Sequence, residues 1–196
     1  MTVVIIWIAA VTCSTYAYWR YYKDTTQKGG TEPNRWSWLI WSASTMMEAL
    51  TYEAVSADFL KGGIFFISGC LCFLVTVFIW AKSKWEKPTA SEIACVLVSI
   101  LALVVWLYFE QTLFGHLLMV AALPIAFFPT WKDAWQNPST ENSPAWGLWA
   151  IGDLLTMAFV LLRLNNWEEV PYAAIEFVCH ALVWSIVAFR QKAAAN

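Results

Sequence analysis

The chain is divided into seven apolar blocks, each about as long as a helix must be to cross a bilayer. They cover residues 3–19, 36–57, 62–81, 90–109, 112–131, 145–162 and 171–189. A spanning helix takes about 20 mostly apolar residues at 1.5 Å rise per residue. Seven of them fill most of a 196-residue chain and leave only short loops. In lipid the backbone finds no water to bond, so each block must satisfy its own polar groups as a helix. The blocks therefore predict an all-α polytopic membrane protein of seven transmembrane helices, with no room for a soluble domain. Composition agrees: 60% of the residues are hydrophobic and 13% charged, against about 25% charged in a soluble domain. Blocks four and five are separated only by Glu110-Gln111. A single helix over 93–128 would run about 54 Å, nearly twice the hydrocarbon thickness, so a tight hairpin is expected there. The first block lacks a basic start and a small-residue cleavage site, and reads as a mature helix rather than a signal peptide.

Lysine and arginine set the direction of the spans. Seven spans put the first, third and fifth loops on the same side as the C-terminus. That side holds Arg20, Lys23, Lys28, Arg35, Lys82, Lys84, Lys87, Lys132, Arg190 and Lys192; the other holds Lys61 and Arg163. Ten against two predicts an integral protein of the plasma (inner) membrane with its N-terminus outside and its C-terminus cytoplasmic. A net charge of −2 gives no reason to expect a nucleic-acid partner.

The chain also matches itself at an offset of 109 residues. Lys23-Asp24 falls on Lys132-Asp133, Thr31-Glu32 on Thr140-Glu141 and Cys70 on Cys179; with one residue of slack, Trp38 and Trp41 fall on Trp146 and Trp149. The matches run in order through three helices, which predicts a duplication. Residues 1–89 form the first three-helix repeat, 90–111 a linker helix, and 112–196 the second repeat with a short tail. An odd-numbered unit needs one inserted helix for both copies to point the same way, as the charge bias requires. The result is a parallel three-plus-one-plus-three arrangement about an axis along the membrane normal.

Polar residues inside the blocks mark the candidate site, because a carboxylate at mid-membrane depth costs roughly 2.5–3.5 kcal/mol. Helix two carries Trp38, Trp41, Thr45, Glu48 and Tyr52 in steps of three and four, hence on one face. Helix six repeats that face as Trp146, Trp149, Asp153 and Thr156. Each copy thus has one carboxylate and one threonine, exchanged between adjacent turns. Helix seven adds Glu176 and His180, four apart, and helix five adds His116. The expected arrangement is a polar, aromatic-walled cavity between helices two and six, in which indoles stack on a flat solute and the acids accept its hydrogen bonds. Competing readings are an interfacial belt for the tryptophans, interhelical hydrogen-bonded pairs for the acids, and packing for His116. Trp19, Trp85, Trp106, Trp131, Trp135 and Trp167 lie near block ends and read as belt residues.

Pro124 and Pro129 fall inside helix five and are expected hinges, because each ring removes a backbone donor. Pro33, Pro144 and Pro171 read as helix-start residues. The five cysteines lie within the blocks and read as small apolar residues, with no metal-ligand spacing. No phosphate-cradling loop, nucleophile elbow or HExxH motif occurs, and helix seven offers no lysine for a Schiff base. No catalytic residue, cofactor or metal site is therefore expected.

Seven short helices as three plus one plus three, N-terminus outside, resemble the SWEET and PQ-loop transporter superfamily. The stretch Trp146-Gly-Leu-Trp149-Ala-Ile-Gly-Asp153 is similar to the paired-tryptophan stretch, followed by a carboxylate, of Pnu-type nicotinamide riboside facilitators. The resemblance implies an energy-independent or proton-linked carrier for a small neutral or cationic solute, such as a vitamin or sugar. Its binding site would lie between the repeats near the midplane, walled by aromatics. A seven-helix receptor or sensor, or an accessory subunit without transport, is the alternative. The expected partners are the solute and the lipid bilayer, and homo-oligomer formation is left open.

Overall fold

The computed structural model describes residues 2–27, 30–56, 58–82, 87–109 and 112–195. They form seven α-helices: α1 Thr2–Thr25, α2 Arg35–Ser56, α3 Phe59–Lys82, α4 Ala90–Phe109, α5 Thr112–Gln136, α6 Ser143–Leu162 and α7 Val170–Ala195. Single 3₁₀ turns, Pro138–Thr140 and Trp167–Glu169, precede α6 and α7. No strand occurs among the described residues. The expected hairpin tip at Glu110-Gln111 lies outside the described residues, as do Lys28 and Lys84 of the charge tally.

Five helices, α1, α3, α5, α6 and α7, are long and apolar enough to cross a membrane. Helix α4 contributes a shorter apolar stretch, Ala90–Val105. Helix α2 falls short for a physical reason: it is the polar centre of the bundle. Ser37, Ser42, Ser44, Thr45, Glu48, Thr51 and Ser56 on this one helix are all buried. The outer surface is the reverse, with Phe66, Phe73, Leu74, Leu97, Ile100, Leu101, Val104 and Leu107 exposed. Polar inside and apolar outside is the distribution that a lipid solvent favours.

Helix α3 packs against both α1 and α2, and α7 packs against both α5 and α6. The two triples meet where α1 runs along α6 and α5 runs along α2, while α4 lies against α5 and α2. Close approach depends on glycine, since lipid supplies no hydrophobic drive between helices. A Cβ on Gly152 of α6 would sit 2.7 Å from Ser14 Oγ of α1, and one on Gly69 would sit 3.3 Å from the Met46 backbone of α2.

Both α2 and α6 start from an asparagine cap, which the proline-based reading missed. Asn34 Oδ1 accepts from the N–H groups of Trp36 and Ser37 at 2.9 and 3.1 Å, and Asn142 Oδ1 accepts from that of Ala145 at 2.9 Å. Pro33 precedes its cap, whereas Pro144 and Pro171 are each the second residue of a helix. Helix α5 continues through Pro124 and Pro129, whose rings remove the N–H groups that would close turns onto Val120 and Ile125.

Contacts between the triples tie both ends of the bundle together. At the end carrying most of the lysines and arginines, Glu32 N–H donates to the Thr140 carbonyl at 3.1 Å. The two Thr-Glu segments matched at the 109-residue offset thus touch. Gln191 of α7 donates to the carbonyls of Pro138 and Glu141. At the opposite end Lys61 pairs with Glu169, both fully buried, and Arg163 Nε donates to Asp58 Oδ2 at 2.8 Å. Both cations of that end are therefore neutralised. Tyr52 OH donates to the Glu169 carbonyl at 2.9 Å, and Asn165 Nδ2 donates to that of Ser56 at 3.3 Å.

Candidate functional site

The heptad-like steps on α2 and α6 turn Trp38, Trp41, Trp146 and Trp149 inward, each less than one-tenth exposed. They form one cluster rather than a belt. Ring centroids are 5.5 Å apart for Trp38–Trp41, 5.0 Å for Trp146–Trp149, 5.9 Å for Trp41–Trp146 and 6.1 Å for Trp38–Trp149. Most pairs are tilted or edge-on, the arrangement that the ring quadrupole prefers. Trp19, Trp135 and Trp167 are about half or more exposed, as belt residues should be. Trp131 instead turns inward onto Phe127 and donates to the Cys179 carbonyl at 3.3 Å. The side chains of Trp85 and Trp106 lie outside the described residues.

A cavity opens beside this cluster, lined by the four tryptophans with Tyr18, Thr45, Cys72, Phe127, Glu176 and His180. A water molecule's centre has about 20 Å³ to move in, room for about one water. A solute of sugar or nucleoside size would fit only if the aromatic walls parted. Seven of the ten residues expected at the site line it. Tyr18, Cys72 and Phe127 are additions. Tyr18 and Phe127 stand 109 positions apart, so the duplication offset itself could have revealed them.

The polar wall is built by α6 and α7. His180 Nδ1 lies 2.7 Å from Asp153 Oδ2, and the His180 ring stacks on Trp149 at 5.6 Å. Tyr172 OH donates to Glu176 Oε1 at 2.8 Å. One ligand atom each of Asp153, Glu176 and His180 lies within 4.8 Å of the others. Asp153 thus reaches the site through His180. Its partner lies on the neighbouring α7, which packs along α6. The Glu176–His180 pair expected from spacing alone is a triad closed by α6.

Two expected residues stand elsewhere. Glu48 is one turn beyond Thr45 and outside the cavity; α5 meets α2 at that level, and His116 Nδ1 lies 2.9 Å from Glu48 Oε1. Thr156 is buried, but its hydroxyl turns back to the Gly152 carbonyl at 2.9 Å, the self-contained bond that helical threonines favour. His116 is accordingly more than a packing residue. Its Nε2 lies 3.1 Å from the Glu168 carbonyl.

Two polar groups in the cavity wall lack partners. Trp41 Nε1 and Trp149 Nε1, at positions matched near the 109-residue offset, are buried donors with no hydrogen-bond acceptor among the described residues. A buried unmade hydrogen bond costs about 1–3 kcal/mol. Trp146, by contrast, is anchored outside the membrane segments: its Nε1 donates to Glu141 Oε2 at 2.8 Å, and Tyr21 OH donates to the same oxygen at 3.4 Å. Burial pushes the Glu141 carboxyl up to about 8, more than these two donors pull it down.

Fold and composition define the class: an all-helical integral membrane protein with a closed polar, aromatic cavity inside the bundle. No protein family, curated protein or solved structure matches the chain.

Proposed function

We propose that the protein is a small-solute membrane carrier whose solute binds between two parallel three-helix repeats, residues 1–89 and 112–196, joined by the linker helix 90–111. The helix pairing supports this reading. Exchanging α1, α2 and α3 for α5, α6 and α7 turns the α1–α6 contact into the α5–α2 contact, and both exist. The layout and the Trp146–Asp153 stretch resemble SWEET, PQ-loop and Pnu-type carriers. All seven helices then span the plasma membrane, with the lysine-rich end in the cytoplasm.

The observation that carries the reading is the pair of unpartnered indole N–H groups of Trp41 and Trp149 in the cavity wall. Donors left unpaired at duplicated positions suit a solute that brings acceptors to both copies. The Asp153–His180–Glu176 group on the same wall receives the solute's donors. The small volume fits an occluded state, sealed at each end by the contacts between triples. No covalent chemistry is part of this reading.

A thermal-shift screen of the purified protein against nucleosides, vitamins, sugars and amino acids identifies the solute, because binding stabilises by RT ln(1 + [L]/Kd). Flux of that solute into proteoliposomes then tests transport. Trp41→Phe and Trp149→Phe keep the ring and remove the donor. Each should weaken binding by about 0.5–1.5 kcal/mol, roughly 2- to 12-fold. Binding without flux would favour a receptor. Neither binding nor flux would favour an accessory subunit.

A further inference from the structure

We propose that Glu48 and His116 form a proton-binding site, set apart from the solute cavity, whose occupancy is linked to the carrier cycle. The linkage rests on the carrier reading above; the proton site itself rests on the geometry of the pair.

Glu48, midway along α2, and His116, in the second turn of α5, are both fully buried. His116 Nδ1 and Glu48 Oε1 are 2.9 Å apart, yet neither carboxylate oxygen has a partner in hydrogen-bond geometry among the described residues. The Glu168 carbonyl, 3.1 Å from His116 Nε2, can only accept, so Nε2 carries a hydrogen. One further proton belongs to the pair, on Oε1 or on Nδ1. With it, the pair is neutral overall as acid and imidazole, or as carboxylate and imidazolium. Without it, a bare carboxylate stands in a dry interior at a cost of several kcal/mol. The enclosed pair therefore keeps its proton, and gives it up only when an opening end admits water. Holding a proton when closed and exchanging it when open is what a coupling site must do.

Among the described residues, the charged and titratable groups around the pair leave it without another neutralising partner. Tyr52, on α2, is bonded to the Glu169 carbonyl. Lys61, on α3, is taken by Glu169 and lies 3.9 Å from Asp58, which also holds Arg163. Glu168 and Glu169 approach from the turn before α7, and Tyr172 and Glu176 from α7 itself. On α4, Glu92 is bonded to Thr89 at the other end of the bundle.

The route to the cavity runs through α7. Tyr52, one turn beyond Glu48 on α2, has its ring 6.0 Å from that of His116 and 4.6 Å from that of Phe65, which stands edge-on to Tyr172 at 5.1 Å. Tyr172 is bonded to Glu176, and Glu176 stands beside Asp153 and His180. A solute that changes the charge on this wall changes the field at Glu48. By reciprocity, the proton at Glu48 then changes the affinity for solute.

The chain has only two histidines, so ¹⁵N-histidine NMR of the purified protein resolves each imidazole, assigned by the signal lost in His116→Gln. In detergent the ends open often enough for the pair to exchange its proton with bulk water, so between pH 5 and 9 the His116 ¹⁵N shifts should move, as Nδ1 loses either the proton itself or the hydrogen shared with Glu48, and Glu48→Gln should alter that transition. The double variant Glu48→Gln with His116→Gln removes both partners together, and guards against a single variant that does not fold; it should keep the fold and the His180 signal. His116 ¹⁵N shifts constant throughout, or a transition unmoved by Glu48→Gln, overturn the proton site whether or not the protein carries a solute. For linkage, uptake of the solute found by thermal shift is measured with the membrane potential clamped to zero. One proton per neutral solute gives about tenfold accumulation per pH unit of imposed gradient. Glu48→Gln and the double variant should keep downhill exchange and lose accumulation. Wild-type uptake indifferent to the gradient overturns the linkage while leaving the carrier reading intact. No flux in any condition overturns the carrier reading, and the linkage with it.

Discussion

Glu141 offers a sharp test of how the lysine-rich end is held together. Its carboxyl is buried between Tyr21 of α1 and Trp146 of α6, and burial raises it from 4.5 to about 8. The folded protein therefore keeps a proton on Glu141 between pH 4.5 and 8 that the unfolded chain releases. Where the folded state binds more protons, stability falls as pH rises, so this group is destabilising above pH 4.5 and most so above pH 8. At about 1.4 kcal/mol per pH unit the ceiling is about 5 kcal/mol. Water near the bundle end reduces this, and about 2–3 kcal/mol is the expected size. Glu141→Gln keeps an oxygen for the Trp146 and Tyr21 donors and carries no charge. At pH 5 the variant should melt within a degree or two of the wild type. At pH 8.5 it should melt higher by about 4–12 °C, at about 2–4 °C per kcal/mol for a chain of this length. The assay is tryptophan-fluorescence melting in detergent from pH 5 to 9. Parallel profiles for the two proteins across that range would refute the assignment of a buried neutral acid and the reasoning built on it.

Three further outcomes follow from other contacts. Gly152→Ala places a Cβ 2.7 Å from Ser14 Oγ; it should destabilise by about 1–3 kcal/mol, and adding Ser14→Ala should recover a large part of this in a double-mutant cycle of melting temperatures. Burial acts to raise the Asp58 carboxyl, but the hydrogen bond and charge of Arg163 outweigh it and hold the group below its ordinary 3.8. This stabilisation is present at neutral pH and is lost as pH falls through the lowered value, so acid titration of Arg163→Gln should lack that loss. In a cysteine-free background, Ser139→Cys should react with a membrane-impermeant maleimide only from the cytoplasmic side, and Trp167→Cys only from outside; labelling of both from one side would sink the proposed orientation.

The sequence by itself determined the solvent and most of the helices, because a bilayer imposes one rule on every residue of a span. Hydropathy blocks and the lysine bias are local sums that need no partner. The self-match at an offset of 109 residues was legible for the same reason: it is a property of the string. The inward face of α2 and α6 also followed from spacing, since residues three and four apart share a side wherever the helix sits. Partner choice was not legible. That Asp153 meets His180, that Glu48 meets His116, and that Lys61 finds Glu169 108 positions away depends on which helices adjoin and at what height. Those are fixed by close-packing at positions such as Gly69 and Gly152, and a shift of one helical turn, 5.4 Å, would exchange every pair. Spacing placed Glu48 on the right face, and only the tertiary structure put it one turn beyond the cavity and opposite an imidazole.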